Sequence, residues 1–173
     1  MSKFLVIAEK PSVAQSYAKN LSAYKREDGY LEGESCIVSW CLGHLAEYAQ
    51  PEEYDPKYEK WQFDDLPILP EAWKLKVSKD KKKQFEVIKT LMNRSDVEYL
   101  VNGCDAGREG ELIFQRVYVL AGCRKPVKRL WISSMEDAAI QKGFQTMKSE
   151  EEYKNLCMAA VCRAQADWLI GMN

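Results

Sequence analysis

The sequence contains no long hydrophobic run. Its longest apolar stretches, such as Phe4-Leu5-Val6-Ile7-Ala8, fall far short of the roughly 18 residues a membrane-crossing helix needs. It also lacks an excess of either charge: 25 Lys and Arg against 26 Asp and Glu leave a formal net charge of −1. That balance excludes a wholly basic nucleic-acid binder and confines any polyanion to a local basic patch. Histidine is nearly absent, with His44 standing alone, and the six cysteines (Cys36, Cys41, Cys104, Cys123, Cys157 and Cys162) include no Cys-x-x-Cys pair. Cys36, Cys41 and His44 therefore make a poor zinc set. No charged start followed by an apolar stretch and a small-residue cleavage site opens the chain. A soluble, intracellular protein with reduced thiols is the expectation. No internal repeat is visible.

What is present is an ordinary globular composition, 46% hydrophobic and 29% charged over 173 residues, enough for one core. Residues 3–8 form a continuous apolar run that suits a strand buried on both faces of a parallel sheet. Pro11 sits where a first-turn proline is tolerated, and Ala14, Tyr17, Ala18 and Leu21 recur at helical spacing. Glu9, Lys10 and Ser12 thus fall between a strand end and a helix start, the edge where open α/β sheets place ligands. Further strands are expected at 36–40, 97–102 and 127–132, and helices at 109–121, 138–147 and 150–171. The last of these helices carries one apolar stripe from Tyr153 to Trp168. The stretch 51–70, with four prolines and several aromatics, reads as a long ordered loop. The lysine-rich stretch 74–83 reads as a solvated face leading into a helix that carries Phe85, Ile88 and Leu91. Strand and helix alternate almost throughout, which argues an α/β domain on a mainly parallel sheet. The chain stops at Gly171-Met172-Asn173 directly after an apolar helix and without the polar tail that usually frays at a domain terminus, so a piece of a longer protein is the expectation.

The densest polar cluster is Cys104-Asp105-Ala106-Gly107-Arg108-Glu109-Gly110-Glu111, between an apolar strand and an apolar helix. Three carboxylates beside an arginine suit a hard cation such as Mg²⁺, which takes oxygen ligands, keeps waters and bridges to phosphate. They equally suit a helix N-terminus, whose dipole favours acids. Glu9 shifts the balance, because it ends a different strand of the same sheet and its carboxylate can reach the edge where Asp105 lies. Lys10 and Arg108 supply cations for phosphate. Taken alone, Arg163 and Asp167, four apart on a helix, read as an ordinary surface pair. His44 reads as a turn histidine, and Trp131 and Trp168 as core aromatics.

Five blocks carry a resemblance. Ile7-Ala8-Glu9-Lys10-Pro11-Ser12, Gly43-His44-Leu45, Asp105-Ala106-Gly107-Arg108-Glu109-Gly110-Glu111, Leu130-Trp131-Ile132-Ser133-Ser134 and Arg163-Ala164-Gln165-Ala166-Asp167-Trp168-Leu169-Ile170-Gly171 resemble, in order, the successive blocks of type IA DNA topoisomerases. The wording is closest to the topoisomerase III branch. The resemblance covers essentially the whole chain and is to the Toprim domain of those enzymes. It implies an α/β Toprim (Rossmann-like) domain over 1–150, with a mainly parallel central sheet flanked by helices and a loop-rich insertion at about 49–72. The helix over 151–173 would lead into a next domain.

The resemblance also implies chemistry. Such enzymes cut one DNA strand by transesterification to a tyrosine, pass DNA through the gap and reseal it, with Mg²⁺ (or Mn²⁺ in its place) and without ATP. The implied partners are single-stranded DNA and the remaining domains of the parent enzyme, in a cytoplasmic, nucleoid-associated setting and with no membrane. The implied metal carboxylates are Glu9, Asp105 and Glu109; the implied catalytic groups are Glu9, Lys10 and Arg108. His44, Ser133, Arg163 and Asp167 match positions near bound DNA. Gly107 stands where the family usually has a second aspartate, and Glu111 is the nearest substitute ligand. None of the nine tyrosines lies in a block matching the nucleophile's. Two rivals share part of the pattern. Another Toprim enzyme, a primase or nuclease, would have the carboxylates without the first and last blocks, and a non-catalytic nucleic-acid-binding module would be consistent with Gly107.

Overall fold

In the computed structural model, which describes residues 2–173, strand β1 (Lys3–Ala8) lies at the centre of a seven-stranded sheet. Its side chains alternate faces, as strand geometry requires. Leu5 and Ile7 enter one apolar cluster, and Val6 and Ala8 enter another. No polar face is left, which is why the run reads as continuously apolar.

The strands that follow are β2 (Lys25–Glu27), β3 (Tyr30–Glu32), β4 (Cys36–Trp40), β5 (Ala46–Tyr48), β6 (Leu75–Val77), β7 (Val97–Gly103), β8 (Val127–Arg129) and β9 (Lys148–Ser149). The main sheet runs β2-β3-β4-β1-β7-β8-β9. Its middle four strands are parallel, and antiparallel pairings of β2 with β3, β3 with β4 and β8 with β9 finish the two edges. Helices α1 (Pro11–Asn20) and α4 (Asp137–Gln145) cover one face through Ala14, Tyr17, Ala18 and Ile140. Helices α2 (Lys82–Met92) and α3 (Arg108–Leu120) cover the other through Phe85, Ile88, Ile113, Phe114 and Val117. The α/β reading and the mainly parallel sheet hold.

A third, smaller cluster forms outside these layers. Strands β5 and β6 pair as a separate two-stranded sheet, and the loop between them is ordered by three short 3₁₀ turns at Pro51–Glu53, Pro56–Glu59 and Phe63–Asp65. Helix α5 (Lys154–Met172) delivers Trp168 there, where its ring packs edge-on to Tyr54 and Trp73 and its Nε1 donates to the Ala49 carbonyl at 3.0 Å.

Several expectations need correcting. The expected strand over 127–132 ends at Arg129. Trp131 is not a core aromatic; it is 42% exposed, stacked on Tyr153 and lying over the Arg129 guanidinium. The expected helix from residue 150 begins with a 3₁₀ turn at Glu150–Tyr153, and of its apolar stripe only Ala160 and Trp168 are buried. Met158 and Ile170 face outward. The lysine-rich stretch is only partly a solvated face, since Lys76 pairs with Glu53 and Lys81 donates to the His44 carbonyl at 2.9 Å. All six cysteines are free, and four are buried.

Candidate active site

Parallel neighbours β1 and β7 end side by side, which sets two carboxylates at one edge of the sheet. Glu9 follows β1 and is only 8% exposed. Asp105 follows β7 by two residues, and its backbone N–H donates to Glu9 Oε2 at 3.4 Å. The Lys10 ammonium lies between the two acids, 3.8 Å from Glu9 Oε1 and 3.7 Å from Asp105 Oδ2. The edge is braced from beneath. Tyr17 donates to the Gly103 carbonyl at 3.1 Å, and burial pushes its hydroxyl well above its ordinary value, so the donor keeps its proton. The Cys104 thiol is likewise pushed up, by its hydrogen bond with Cys41 and by burial, and stays neutral beside the acids.

Helix α3 starts at this edge. Gly110 lets it approach: a Cβ there would stand 2.1 Å from the Asp105 carbonyl oxygen. Gly107, the N-cap, is extended, with open space where a side chain would be. The two acids of the first turn then separate. Glu109 points outward and meets His44 Nε2 in a short contact. His44 is carried there by the end of β4, where the left-handed Gly43 donates to the Glu9 carbonyl at 3.3 Å.

Glu111 points inward, and its expected place among the ligands is corrected. Its Oε1 accepts from Arg129 Nε at 2.6 Å and its Oε2 from Asn102 Nδ2 at 3.3 Å. Arg129 is almost fully buried and also donates to the carbonyls of Asn102, Cys104, Leu130 and Asp105. Sequence reasoning missed this network. Its signals were a polar Asn102 within an apolar strand and an arginine inside the expected strand 127–132.

Beside the acids, a cleft of about 400 Å³ runs between α3 and α5. His44, Arg108, Glu109, Arg163 and Asp167 line it together, with Arg116 as a further, unexpected member. Arg163 Nε sits 3.2 and 3.1 Å from the two carboxylate oxygens of Asp167. Ser133 is not brought into this cleft; it lies in a separate hollow with Trp131 and Lys142.

The donor set fits a hard, oxygen-seeking cation only in part. Glu9 and Asp105 already share a positive charge in the Lys10 ammonium, where such an ion would serve the same purpose. Among the described residues, however, no three His, Cys, Asp or Glu side chains converge on one point, and Glu109 meets His44 instead.

Residues 4–135 match the Toprim domain family. The chain belongs to that family. Over all 173 residues, this Toprim chain is 50% identical to DNA topoisomerase 3 of Bacillus subtilis (strain 168) and 51% identical to DNA topoisomerase 3 of Bacillus cereus (strain ATCC 14579). In both cases the match takes in 100% of this chain and 24% of the relative. The chain thus spans about a quarter of the length of these curated relatives. Its fold is similar to the full-length topoisomerase I of Thermotoga maritima, with a TM-score of 0.54 at 18% identity over 84% of this chain and 21% of that one.

Proposed function

We propose that these 173 residues are the metal-holding and phosphate-handling part of a type IA DNA topoisomerase of the topoisomerase III kind. The observation that carries this reading is the meeting of Glu9 and Asp105 on Lys10, at the ends of two adjacent parallel strands and beside an arginine-lined cleft. The nucleophilic tyrosine comes from elsewhere in the enzyme. The substrate is single-stranded DNA, and the reaction needs no ATP.

Glu9, Asp105 and Glu109 would hold Mg²⁺, the last after leaving His44. When bound, the ion offsets phosphate charge as oxygens change partners. The chain's own groups do the rest. Lys10 and Arg108 hold the scissile phosphate, lysine as a point charge and arginine as a fork. Glu9, enclosed at the strand end, takes up the proton that the attacking tyrosine hydroxyl gives up and passes it to the leaving 3′ oxygen. Arg163, Asp167 and His44 guide the strand along the cleft. A non-catalytic nucleic-acid-binding module is the second reading, favoured by Gly107 and by the lack of three convergent ligands among the described residues.

A Mg²⁺ titration of supercoil relaxation by the full-length enzyme tests the proposal. Asp105→Asn should raise the metal concentration needed, and Glu9→Gln should suppress relaxation at every concentration. Unaltered relaxation by both variants would overturn the reading.

A further inference from the structure

Among the described residues, no acidic side chain neutralises the charge of Arg116. Arg116 is 7% exposed, as enclosed as a core residue. Its Nη1 donates to the Ala46 carbonyl at 3.2 Å and its guanidinium carbon lies 4.7 Å from the centre of the Tyr48 ring. Its Nε is buried without a hydrogen-bond partner, and among the described residues no carboxylate pairs with it. Arg129, still more deeply buried, shows what a structural guanidinium has in this protein: the Glu111 carboxylate and four carbonyls.

A guanidinium cannot shed its proton, and a buried charge without a counter-ion is strongly disfavoured. The missing anion has a place to sit. Arg108, Leu112 and Arg116 are spaced four apart on α3, so they form one stripe, and all three line the cleft. Ala160 and Ala164 of α5 leave room opposite. The other charges of the cleft are already paired, His44 with Glu109 and Arg163 with Asp167. Arg108 and Arg116 remain, on the order of 12 Å apart along the helix at about 1.5 Å per residue. A planar fork of donors matches the oxygens of a phosphate.

The structure assigns Arg116 as the anchor of an internal phosphate subsite in the α3–α5 cleft, taking one phosphodiester of single-stranded DNA while Arg108 faces another nearer the acids. That the phosphate belongs to DNA rests on the function proposed above. The anion site itself rests on the unpaired, enclosed guanidinium.

Two measurements on this chain separate those claims. In thermal melts at matched ionic strength, inorganic phosphate should raise the Tm of the wild type above that in chloride, and should raise that of Arg116→Gln clearly less. This variant keeps a donor for the Ala46 carbonyl; Arg116→Met, with no polar group, gives the same readout if the glutamine is not tolerated. In titrations with a short oligothymidylate, either variant should bind about tenfold more weakly, and the dependence of log K on log salt should become shallower by about 0.7, one phosphate contact on a single strand. A phosphate effect equal in wild type and variants overturns the subsite. An unchanged salt slope in variants that bind DNA as wild type does overturns its use for DNA. A phosphate effect that needs Arg116, in a chain that binds no oligothymidylate, upholds the subsite and sinks the DNA reading.

Discussion

Arg129 Nε lies 2.6 Å from Glu111 Oε1, with both side chains almost wholly enclosed, and the same guanidinium holds the carbonyls of Cys104 and Asp105. Glu111 thus acts on the site through the backbone, by fixing the arginine that fixes the Asp105 loop. Glu109, two residues earlier, faces the cleft. Positions two apart on a helix differ by roughly 200°, so one acidic pair in the sequence performs two unrelated tasks.

Removing one partner of such a buried pair leaves the other charge stranded. Glu111→Ala should destabilise the chain by about 3–5 kcal/mol in urea unfolding. Glu111→Ala combined with Arg129→Met should recover part of that loss. A loss under 1 kcal/mol for the single variant, on the scale of an exposed pair, would contradict the network.

The two glycines of the α3 start should respond oppositely. Gly107 is extended and has open space, so Gly107→Asp should fold, with a gain of a few tenths of a kcal/mol from the better N-cap, and should bind Mg²⁺ more tightly. At Gly110 a Cβ meets the Asp105 carbonyl oxygen at 2.1 Å, so Gly110→Ala should cost about 1–3 kcal/mol and weaken the metal response. Calorimetric Mg²⁺ titrations and melts of the two variants check both. Equal metal affinity of wild type and Gly107→Asp would show that the glycine does not limit the site.

Far from the site, the Arg94 guanidinium hydrogen-bonds Asp96 at 2.9 and 2.7 Å and holds its carboxyl at about 2, below the ordinary aspartate value of about 3.9. In the unfolded chain Asp96 takes up its proton first as the pH falls. The contribution is therefore complete above about pH 4 and disappears toward pH 2. With 36% of the side chain exposed, solvent screening keeps it under about 1 kcal/mol. Melts at pH 6 and pH 2.5 should show wild type ahead of Asp96→Asn at the higher pH and by a clearly smaller margin at the lower. A gap that does not change with pH would contradict this.

Elements with dense apolar signals were legible in the sequence. The run around Leu5 and Val6, the proline start of α1 and the strand before Cys104 fell where expected, and parallel pairing then put Glu9 beside Asp105. The β2–β3 hairpin was missed, because strands of three residues with charged or half-exposed side chains carry no hydrophobic alternation. Its one signal was the Asp28-Gly29 turn, with Gly29 at φ +86°. Arg116 and Glu111 were hidden for a different reason. A helix's acid or arginine does not declare which way it points until its neighbours are known: β5 supplies the Ala46 carbonyl for one, and β8 the Arg129 partner for the other.

The central claim is that Glu9 and Asp105 together receive a divalent cation. The most direct measurement is the Tm of this chain with and without Mg²⁺, in the wild type and in Glu9→Gln/Asp105→Asn. At ten times its dissociation constant the ion should stabilise the wild type by about 1.4 kcal/mol, a rise on the order of 3–6 °C for a domain of this size, with no rise in the double variant. No rise in the wild type, or an equal rise in both, would contradict it.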